Sequence, residues 1–280
     1  MDRTRRRAPM IRLACIDVDG TLVGADGVIH ADVDAAMARA REAGIHLAVC
    51  SGRPGFGVTR DLAHRVQADG WHCFQNGASI RHVTAGRSLS VALEDATVAA
   101  LVQEARANGL PLELYADDEY AVDSDAERAR RHAGLLGVPF RRRGFDSLTR
   151  PIVRAQWLLS HAEAEHFALH HYVGLEVSPS LAPSMPDTRF IGLTRAGVNK
   201  GAAVRAIAAD YGVPLGEVMY IGDGYNDTPA MRIVGHPVAV RNAEPEALEL
   251  ARHVVATAEA GGVAEALAIA LAAEPRSRHG

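Results

Sequence analysis

Two aspartates, Asp17 and Asp19, follow the apolar run IRLACI at residues 11–16. An apolar run of this length is typical of a buried strand, so both acids lie where such a strand would end. Three further stretches follow a predicted strand or open a predicted helix, and they carry residues that phosphate chemistry can use. These residues are Ser51 and Gly52 after HLAVC, Lys200 in NKG, and Asp223, Asn226 and Asp227 in GDGYND.

The acids Asp17, Asp19, Asp223 and Asp227 are candidate ligands of one cation. If the strand ends bring them together, their charges repel one another, and a divalent cation or raised pKa values must offset that repulsion. Hard oxygen ligands without histidine or thiolate favour Mg²⁺, which keeps waters and a substrate phosphate oxygen among its ligands. We therefore expect Mg²⁺ as the cofactor, bound by these four acids.

Ser51, Gly52 and Lys200 can together hold a phosphoryl group. They offer a hydroxyl, an unobstructed backbone N–H, and a positive charge at a predicted helix N-terminus, which itself favours anions. Asp17 is the expected nucleophile, because it is already ionised and nothing in the sequence places a base beside Ser51. Asp19, two residues further on, is expected to protonate the leaving oxygen.

The lysine content points to one of these residues. Lys200 is the only lysine among 30 basic Lys and Arg residues. Arginine occupies all the remaining basic positions, which indicates that a compact ammonium group is required at position 200. Codon bias alone could also leave a single lysine.

The outer parts of the chain alternate between short apolar runs and amphipathic helical patterns. This βαβ rhythm predicts an α/β fold, with a Rossmann-like parallel sheet covered by helices on both faces. Chemistry in such sheets collects at the carboxyl ends of the strands. The four polar stretches are therefore expected to meet at one edge.

Between these outer parts the pattern changes to alternating strands with three interleaved helices. We predict an inserted α+β cap domain over residues 83–190, with an antiparallel or mixed sheet and helices on one of its faces. Residues 1–82 and 191–280 would then form the catalytic core. SLSVAL at residues 88–93 is among the predicted cap strands.

Composition excludes several partner classes. The net charge of −4 argues against a global field for nucleic acid, and no apolar run is long enough to span a membrane. A cytoplasmic protein acting on a small molecule is therefore expected, while its oligomeric state is not predicted. Cys15, Cys50 and Cys73 fit no disulfide framework, which predicts buried reduced thiols.

The four motifs DVDGTL, CSGRP, NKG and GDGYND, in this order, resemble those of the haloacid dehalogenase (HAD) superfamily of phosphotransferases. The insert lies where the Cof-type branch, with its type IIB cap, carries its larger cap domain. The resemblance covers essentially the whole chain. It implies a HAD-like core and a phosphatase that acts on small phosphorylated metabolites such as sugar phosphates.

The resemblance also implies roles for particular residues. Asp17 would form an aspartyl-phosphate, and Asp19 would act as acid and base while its carbonyl binds Mg²⁺. Asp223 would bind the metal directly, and Asp227 would orient the metal or its water. Ser51, Lys200 and Asn226 would hold the phosphoryl group.

Two alternative functions remain open on the sequence. The phosphomannomutase group has a similar DVDGT start, and a sugar phosphomutase would replace the attacking water with a sugar hydroxyl. A catalytically silent phosphate-ligand binder is expected to lack at least one essential residue, and this chain has all four residues that the reaction needs. Those four residues are Asp17, Asp19, Lys200 and Asp223.

Substrate selection is expected to depend on the cap. Tyr115, Asp117, Arg141 and Ser178 are candidate contacts. Gly192 occupies a position where many Cof-type relatives would carry an acid, so an inherited specificity is not expected.

Overall fold

The structure is a computed structural model that describes residues 11–167, 172–182 and 184–273. In chain order its first elements are β1 (Leu13–Ile16), α1 (Ala31–Glu42), β2 (His46–Val49), α2 (Val58–Gln67), β3 (Trp71–Phe74), β4 (Ser79–His82), β5 (Arg87–Ser88), α3 (Asp95–Asn108), β6 (Leu112–Tyr115), β7 (Tyr120–Val122) and α4 (Glu127–Leu135). They are followed by β8 (Arg154–Leu159), α5 (His161–Phe167), β9 (Leu175–Ser180), β10 (Arg189–Arg195), α6 (Lys200–Asp210), β11 (Val218–Gly222), α7 (Thr228–Met231), β12 (His236–Val240), α8 (Pro245–Leu250), β13 (His253–Val255) and α9 (Gly262–Ala272).

The core is a parallel sheet with the strand order β13-β12-β11-β1-β2. β1 lies between β11 and β2, with Ile16 opposite Ile221 on one side and Val49 on the other. The segments that follow β1 and β11 therefore leave the sheet side by side. This arrangement confirms the predicted α/β class with a parallel core sheet.

Alternation along β1 sends its side chains to two apolar layers. Ala14 and Ile16 pack in the cluster that contains residues of α1, α2 and α9. Leu13 and Cys15 pack in the cluster that contains residues of α6 and α7. Since every residue of β1 is buried, the strand has no polar position before Asp17.

The predicted state of the cysteines is confirmed. All three, Cys15, Cys50 and Cys73, are buried and free. The backbones of Cys50 and Cys73 pair in a parallel β-bridge, which aligns β3 with the end of β2.

A second sheet is antiparallel throughout, in the order β7-β6-β8-β10-β9. Its helices differ from the prediction, because they cover both faces. Residues of α3 and α5 share an apolar cluster with Leu112, Leu114 and Trp157. Ala129 of α4 instead packs with Leu158, on the opposite face. Alternation places Glu113, Tyr115, Arg154 and Gln156 on the α4 side.

The predicted boundaries of an inserted domain both fall within paired strands. β4 and β5 form a ladder that pairs His82 with Arg87, across the predicted boundary after residue 82. β10 crosses the predicted boundary after residue 190 and pairs with β9 as far as Arg195. Only Arg87 and Ser88 are assigned to β5, and the rest of SLSVAL runs beside β4, bonded through the amides of Leu89 and Val91.

Across the described ranges, no helix combines the length and the apolar character that a membrane crossing needs.

Candidate active site

Asp17 and Asp223 approach each other at the carboxyl edge of the core sheet. The amide of Asp17 donates a 2.9 Å hydrogen bond to the carbonyl of Ile221, which continues the β1–β11 pairing by one residue. Asp17, Asp223 and Asp227 each offer a carboxylate oxygen, and these atoms lie within 4.8 Å of one another. The acids from the first and last predicted motifs therefore converge.

Lys200 lies beneath this group. It is the first residue of α6, and the Asn199 side chain caps that helix by accepting a hydrogen bond from the amide of Ala202. Its Nζ lies 2.6 Å from Oδ1 of Asp17 and 2.6 Å from Oδ1 of Asp227. Since the side chain is fully buried, its ammonium links the two acids inside the protein.

Asp227 is held from both sides. Its Oδ1 accepts hydrogen bonds from Lys200 Nζ and, at 2.5 Å, from the hydroxyl of Tyr220. Its Oδ2 accepts from the amides of Asp223 and Gly224 at 3.0 and 2.9 Å. These four hydrogen bonds occupy both oxygens of Asp227. They fix the loop after β11 and the position of Lys200.

Asp223 is held in place by the loop that follows β1. Thr21 donates a 3.0 Å hydrogen bond to its Oδ1. Gly20 has a φ of +84°, and a Cβ added there would lie only 2.3 Å from Asp223 Oδ2. Glycine is required at this position both for the backbone conformation and for the close approach of the carboxylate.

The electrostatics of the group favour a cation. Burial raises the pKa of Asp17 well above its usual range, and the charge of Asp227 raises it further, while Lys200 lowers it. Burial and the charge of Asp227 also raise the pKa of Asp223. Burial disfavours the charge of Lys200, but the charges of Asp17 and Asp227 outweigh it and raise the pKa of Lys200. Three carboxylates around one ammonium leave an excess of negative charge.

The donor set fits a hard divalent cation. Asp17 and Asp223 bring carboxylate oxygens to one place, with neither thiolate nor imidazole among the grouped residues. A cation bound there would offset the burial and the neighbouring negative charge that raise both pKa values. Asp227 contributes its charge, although both of its oxygens are already engaged.

Asp19 lies apart from the other acids. Its carboxylate is about half exposed, and both of its oxygens accept hydrogen bonds from the guanidinium of Arg53. The Arg53 Nε lies 2.9 Å from Asp19 Oδ2. Arg53 belongs to the quoted motif CSGRP, but sequence reasoning gave it no role, because a bidentate pair across 34 positions leaves no local signal.

Of the predicted phosphate ligands, Gly52 and Asn226 line the cavity above the acids, whereas Ser51 is fully buried. The Ser51 hydroxyl accepts a 3.0 Å hydrogen bond from the amide of Arg53. Asn226 donates to Asn76 Oδ1 at 3.0 Å. Asn76, at a left-handed φ of 55°, is a further residue that the sequence did not single out.

The cavity has a volume of about 780 Å³ and lies between the core edge and the α4 side of the second sheet. Asp17 and Asp223 line it from the core sheet, here called its floor, and Tyr115, His132 and Arg154 line it from the second sheet and α4. Its size is in the range that suits a small-molecule ligand.

The four predicted cap contacts lie in different places. Tyr115 lines this cavity, and Arg141 lines a separate one of about 640 Å³. Ser178 is opposite Gly192 in the β9–β10 ladder. Asp117 is buried and accepts hydrogen bonds from three hydroxyls at 2.6–2.8 Å, those of Ser79, Ser88 and Ser90.

A buried polar network in the cavity wall was not predicted. Glu113 is fully buried and accepts hydrogen bonds from the hydroxyl of Tyr115 at 2.5 Å and from Gln156 Nε2 at 3.1 Å. The Nδ1 of His132 lies 2.9 Å from both oxygens of the same carboxylate. Alternation in LELY signals that Glu113 and Tyr115 share a face, but not which helix covers them.

Comparison with known proteins identifies the class. A sequence model of haloacid dehalogenase-like hydrolases matches residues 14–267. The chain therefore belongs to this family, as its motifs predicted.

Individual relatives and solved structures are similar to nearly the whole chain. The chain is 26% identical over 289 residues to the 5-amino-6-(5-phospho-D-ribitylamino)uracil phosphatase YwtE of Bacillus subtilis, with 91% of this chain and 96% of the relative covered. A haloacid dehalogenase-like hydrolase from Bacteroides thetaiotaomicron has the same fold, with a TM-score of 0.81 and 24% identity over 92% of this chain and 99% of that one. The HAD subclass IIB sugar phosphatase BT4131 gives a TM-score of 0.75 and 21% identity over 94% and 100% of the two chains. The chain therefore shares the fold of a subclass IIB member of the family, and both YwtE and BT4131 are named as phosphatases.

Proposed function

We propose that this protein hydrolyses small phosphorylated metabolites with Mg²⁺ as its cofactor, through an aspartyl-phosphate formed on Asp17. The observation that carries the proposal is the contact of Asp17 with Lys200 at 2.6 Å, beside Asp223, on the floor of a cavity of small-molecule size. This contact fixes an ionisable oxygen nucleophile where a phosphate monoester can reach it.

In the proposed reaction a carboxylate oxygen of Asp17 attacks phosphorus. The P–O bond to the leaving alcohol breaks, and Asp19 gives that alcohol a proton. Water then attacks the aspartyl-phosphate, gives its proton back to Asp19, and releases inorganic phosphate and the free Asp17 carboxylate. For proton transfer, one Asp19 oxygen must leave Arg53, which holds both oxygens in the structure.

Asp17 and Asp223 are the residues that would hold Mg²⁺, together with the carbonyl of Asp19. The bound ion would offset the charge that an incoming phosphate meets at the carboxylates. Lys200 holds Asp17 from below, and Asp227 keeps Lys200 and the Asp223 loop in position. Gly52 and Asn226 would contact the phosphoryl group from the cavity side, with Ser51 supporting the loop of Gly52 through its hydrogen bond with the amide of Arg53.

The substrate class rests on the cavity and on the relatives. YwtE acts on a phosphorylated ribitylaminouracil, and the subclass IIB structure is a sugar phosphatase. Their substrates are both small polyhydroxylated phosphate monoesters, and the cavity of about 780 Å³ can enclose a molecule of that size. We propose the same broad class here.

The test is Asp17→Asn, assayed for phosphate release from p-nitrophenyl phosphate with Mg²⁺ and with a chelator. We expect loss of nearly all turnover, because an amide cannot act as the nucleophile. A variant that retains a tenth of the wild-type kcat, a loss of about 1.4 kcal/mol in barrier, would contradict the assignment. Asp95→Asn, at an exposed helix position, is the matched control.

A second assay, on the wild-type protein, separates hydrolysis from a mutase reaction. Sugar monophosphates are incubated with the enzyme, and both inorganic phosphate and isomerised sugar phosphate are measured. Release of phosphate without an isomer supports the proposal, whereas an isomer without phosphate release favours the mutase alternative.

A further inference from the structure

Arg154, the first residue of β8, brings a guanidinium from the second sheet to the cavity that Asp17 also lines. Its NH1 donates a 3.3 Å hydrogen bond to the carbonyl of Gly52. Its NH2 donates to Oε1 of Gln156, and its Cζ lies 5.7 Å from the ring centroid of Tyr115. All three of these partners are electrically neutral.

No carboxylate among the described residues lies within ion-pair distance of Arg154. Glu113 is the acid nearest to it through the network, but Gln156 lies between them and donates its own hydrogen bond to that carboxylate. Arg53, the other cavity arginine, is paired with Asp19. Arg154 is therefore the cavity arginine whose charge is not balanced by an ion pair.

Gly192 explains how the guanidinium fits. A Cβ at this position would lie 3.0 Å from NH2 and 3.1 Å from Nε of Arg154. Any side chain would therefore press on the guanidinium, and an acidic one would also neutralise it. The glycine leaves Arg154 both its position and its charge.

Such a charge needs an anion. A guanidinium has five N–H donors, and the protein acceptors found here engage two of them. A cation that is partly withdrawn from water and has no counter-ion is costly, unless a ligand supplies the negative charge. Planar paired donors match the two oxygens of a carboxylate or a phosphoryl group.

Resting on the proposed function, we propose that Arg154 binds a second anionic group of the substrate, a carboxylate or an additional phosphoryl, and so selects phosphomonoesters with two charged ends. The reacting phosphoryl group would lie at Asp17 on the core sheet, whereas Arg154 enters the cavity from β8 of the second sheet and meets the core at the carbonyl of Gly52. The cavity between them is far larger than one phosphoryl group.

The test uses substrate pairs that differ in the second charge. 3-Phosphoglycerate is compared with glycerol 3-phosphate, and fructose 1,6-bisphosphate with fructose 6-phosphate. We expect wild-type kcat/KM to favour the doubly charged member of at least one pair by about tenfold, because charge-assisted bidentate contacts are strong. The pair that responds identifies the second group as a carboxylate or a phosphoryl.

Variants connect this preference to the structure. Arg154→Gln is expected to abolish it, Arg154→Lys to retain part of it, and Gly192→Ala to weaken it without a change of charge. Arg195→Gln removes an exposed arginine from β10 of the same sheet and should keep the wild-type preference. Melting temperatures show whether each variant is folded. A wild-type protein without preference, or an Arg154→Gln protein that retains it, overturns the proposal.

A binding experiment separates this proposal from the proposed function. The affinity of the full chain for 3-phosphonopropionate is compared with that for propylphosphonate by calorimetry, which needs no turnover. A preference for the carboxylate-bearing phosphonate that disappears in Arg154→Gln supports the site, even if no monoester is hydrolysed. Equal affinities, together with no preference for fructose 1,6-bisphosphate, overturn it even if hydrolysis is fast.

Discussion

Lys200 Nζ lies 2.6 Å from Oδ1 of Asp17, with both side chains buried beneath the cavity. Lys200→Met should remove turnover, because Asp17 loses the group that orients it. It should also lower the free energy of unfolding by about 3–5 kcal/mol, since buried carboxylates lose their counter-charge. Urea unfolding and p-nitrophenyl phosphate hydrolysis measure the two effects.

Lys200→Arg provides the sharper version of this experiment. A planar guanidinium is larger than an ammonium and cannot place one nitrogen 2.6 Å from both Asp17 and Asp227 without movement of the surrounding core. We expect a loss of activity of at least about a hundredfold. An Arg variant with near-normal kcat would show that only the charge matters at this position.

Gly20→Ala should impair metal binding more than it impairs folding. The new Cβ would meet Asp223 Oδ2 at 2.3 Å and displace that carboxylate. We expect roughly a tenfold rise in the Mg²⁺ concentration that gives half-maximal activity, because Mg²⁺ tolerates little change in ligand geometry. Gly27→Ala is the matched control, since Gly27 also has a positive φ of 77° but nothing lies within 4 Å of its Cβ position. Equal effects of the two variants would assign the loss to backbone strain.

Mg²⁺ should stabilise the folded protein without any substrate. Its binding would relieve the repulsion between Asp17 and Asp223, and a hundredfold excess over Kd is expected to raise the melting temperature by about 5–10 °C. Asp223→Asn should lose most of this increase. Choline chloride at equal ionic strength controls for screening, and an increase of the same size with that salt would contradict a specific site.

His72 predicts how stability depends on pH. Its Nδ1 accepts a 3.0 Å hydrogen bond from the amide of Val49, its Nε2 lies 2.8 Å from the carbonyl of Gln67, and the residue is fully buried. Burial lowers the pKa of His72 from 6.5 to about 4. As the pH falls from about 6.5 towards 4, the unfolded chain binds this proton before the folded one does, so stability decreases over that range.

The expected loss from this group between pH 7.5 and pH 5 is about 2 kcal/mol. It is measured by urea unfolding at both pH values, on the wild type and on His72→Asn. The amide variant keeps an acceptor for Val49 but cannot titrate. It should lose about 2 kcal/mol less than the wild type, and identical pH dependence of the two proteins would rule out His72 as the source.

Sequence reasoning could predict the parts of the site that depend on strand ends. Asp17 and Asp223 follow uninterrupted apolar runs, and the parallel pairing of β1 with β11 brings those ends together. Lys200 was distinguished by its rarity, and the structure places it in contact with Asp17. The proximity of these residues was predictable because it rests on a period or a count that is visible along the chain, whereas their roles in catalysis stay predictions.

The rest depends on contacts that a linear pattern does not encode. The pairing of Asp19 with Arg53 depends on how two loops fold back over the sheet edge. The contact of His132 with Glu113 depends on the register of a helix against a strand. The sequence also gives no local signal of β10 as one continuous strand, which runs from Arg189 to Arg195 across the predicted boundary after residue 190.

The burial of Lys200 leaves the protein with an unusual chemical surface. Every other basic side chain besides histidine is an arginine, so no lysine amine is available to solvent in the folded state. Reagents that target lysine, such as succinimidyl esters and aldehyde cross-linkers, should leave the folded molecule unmodified at side chains and react at residue 200 only when the core opens. Acylation of that one side chain would therefore count unfolding events directly.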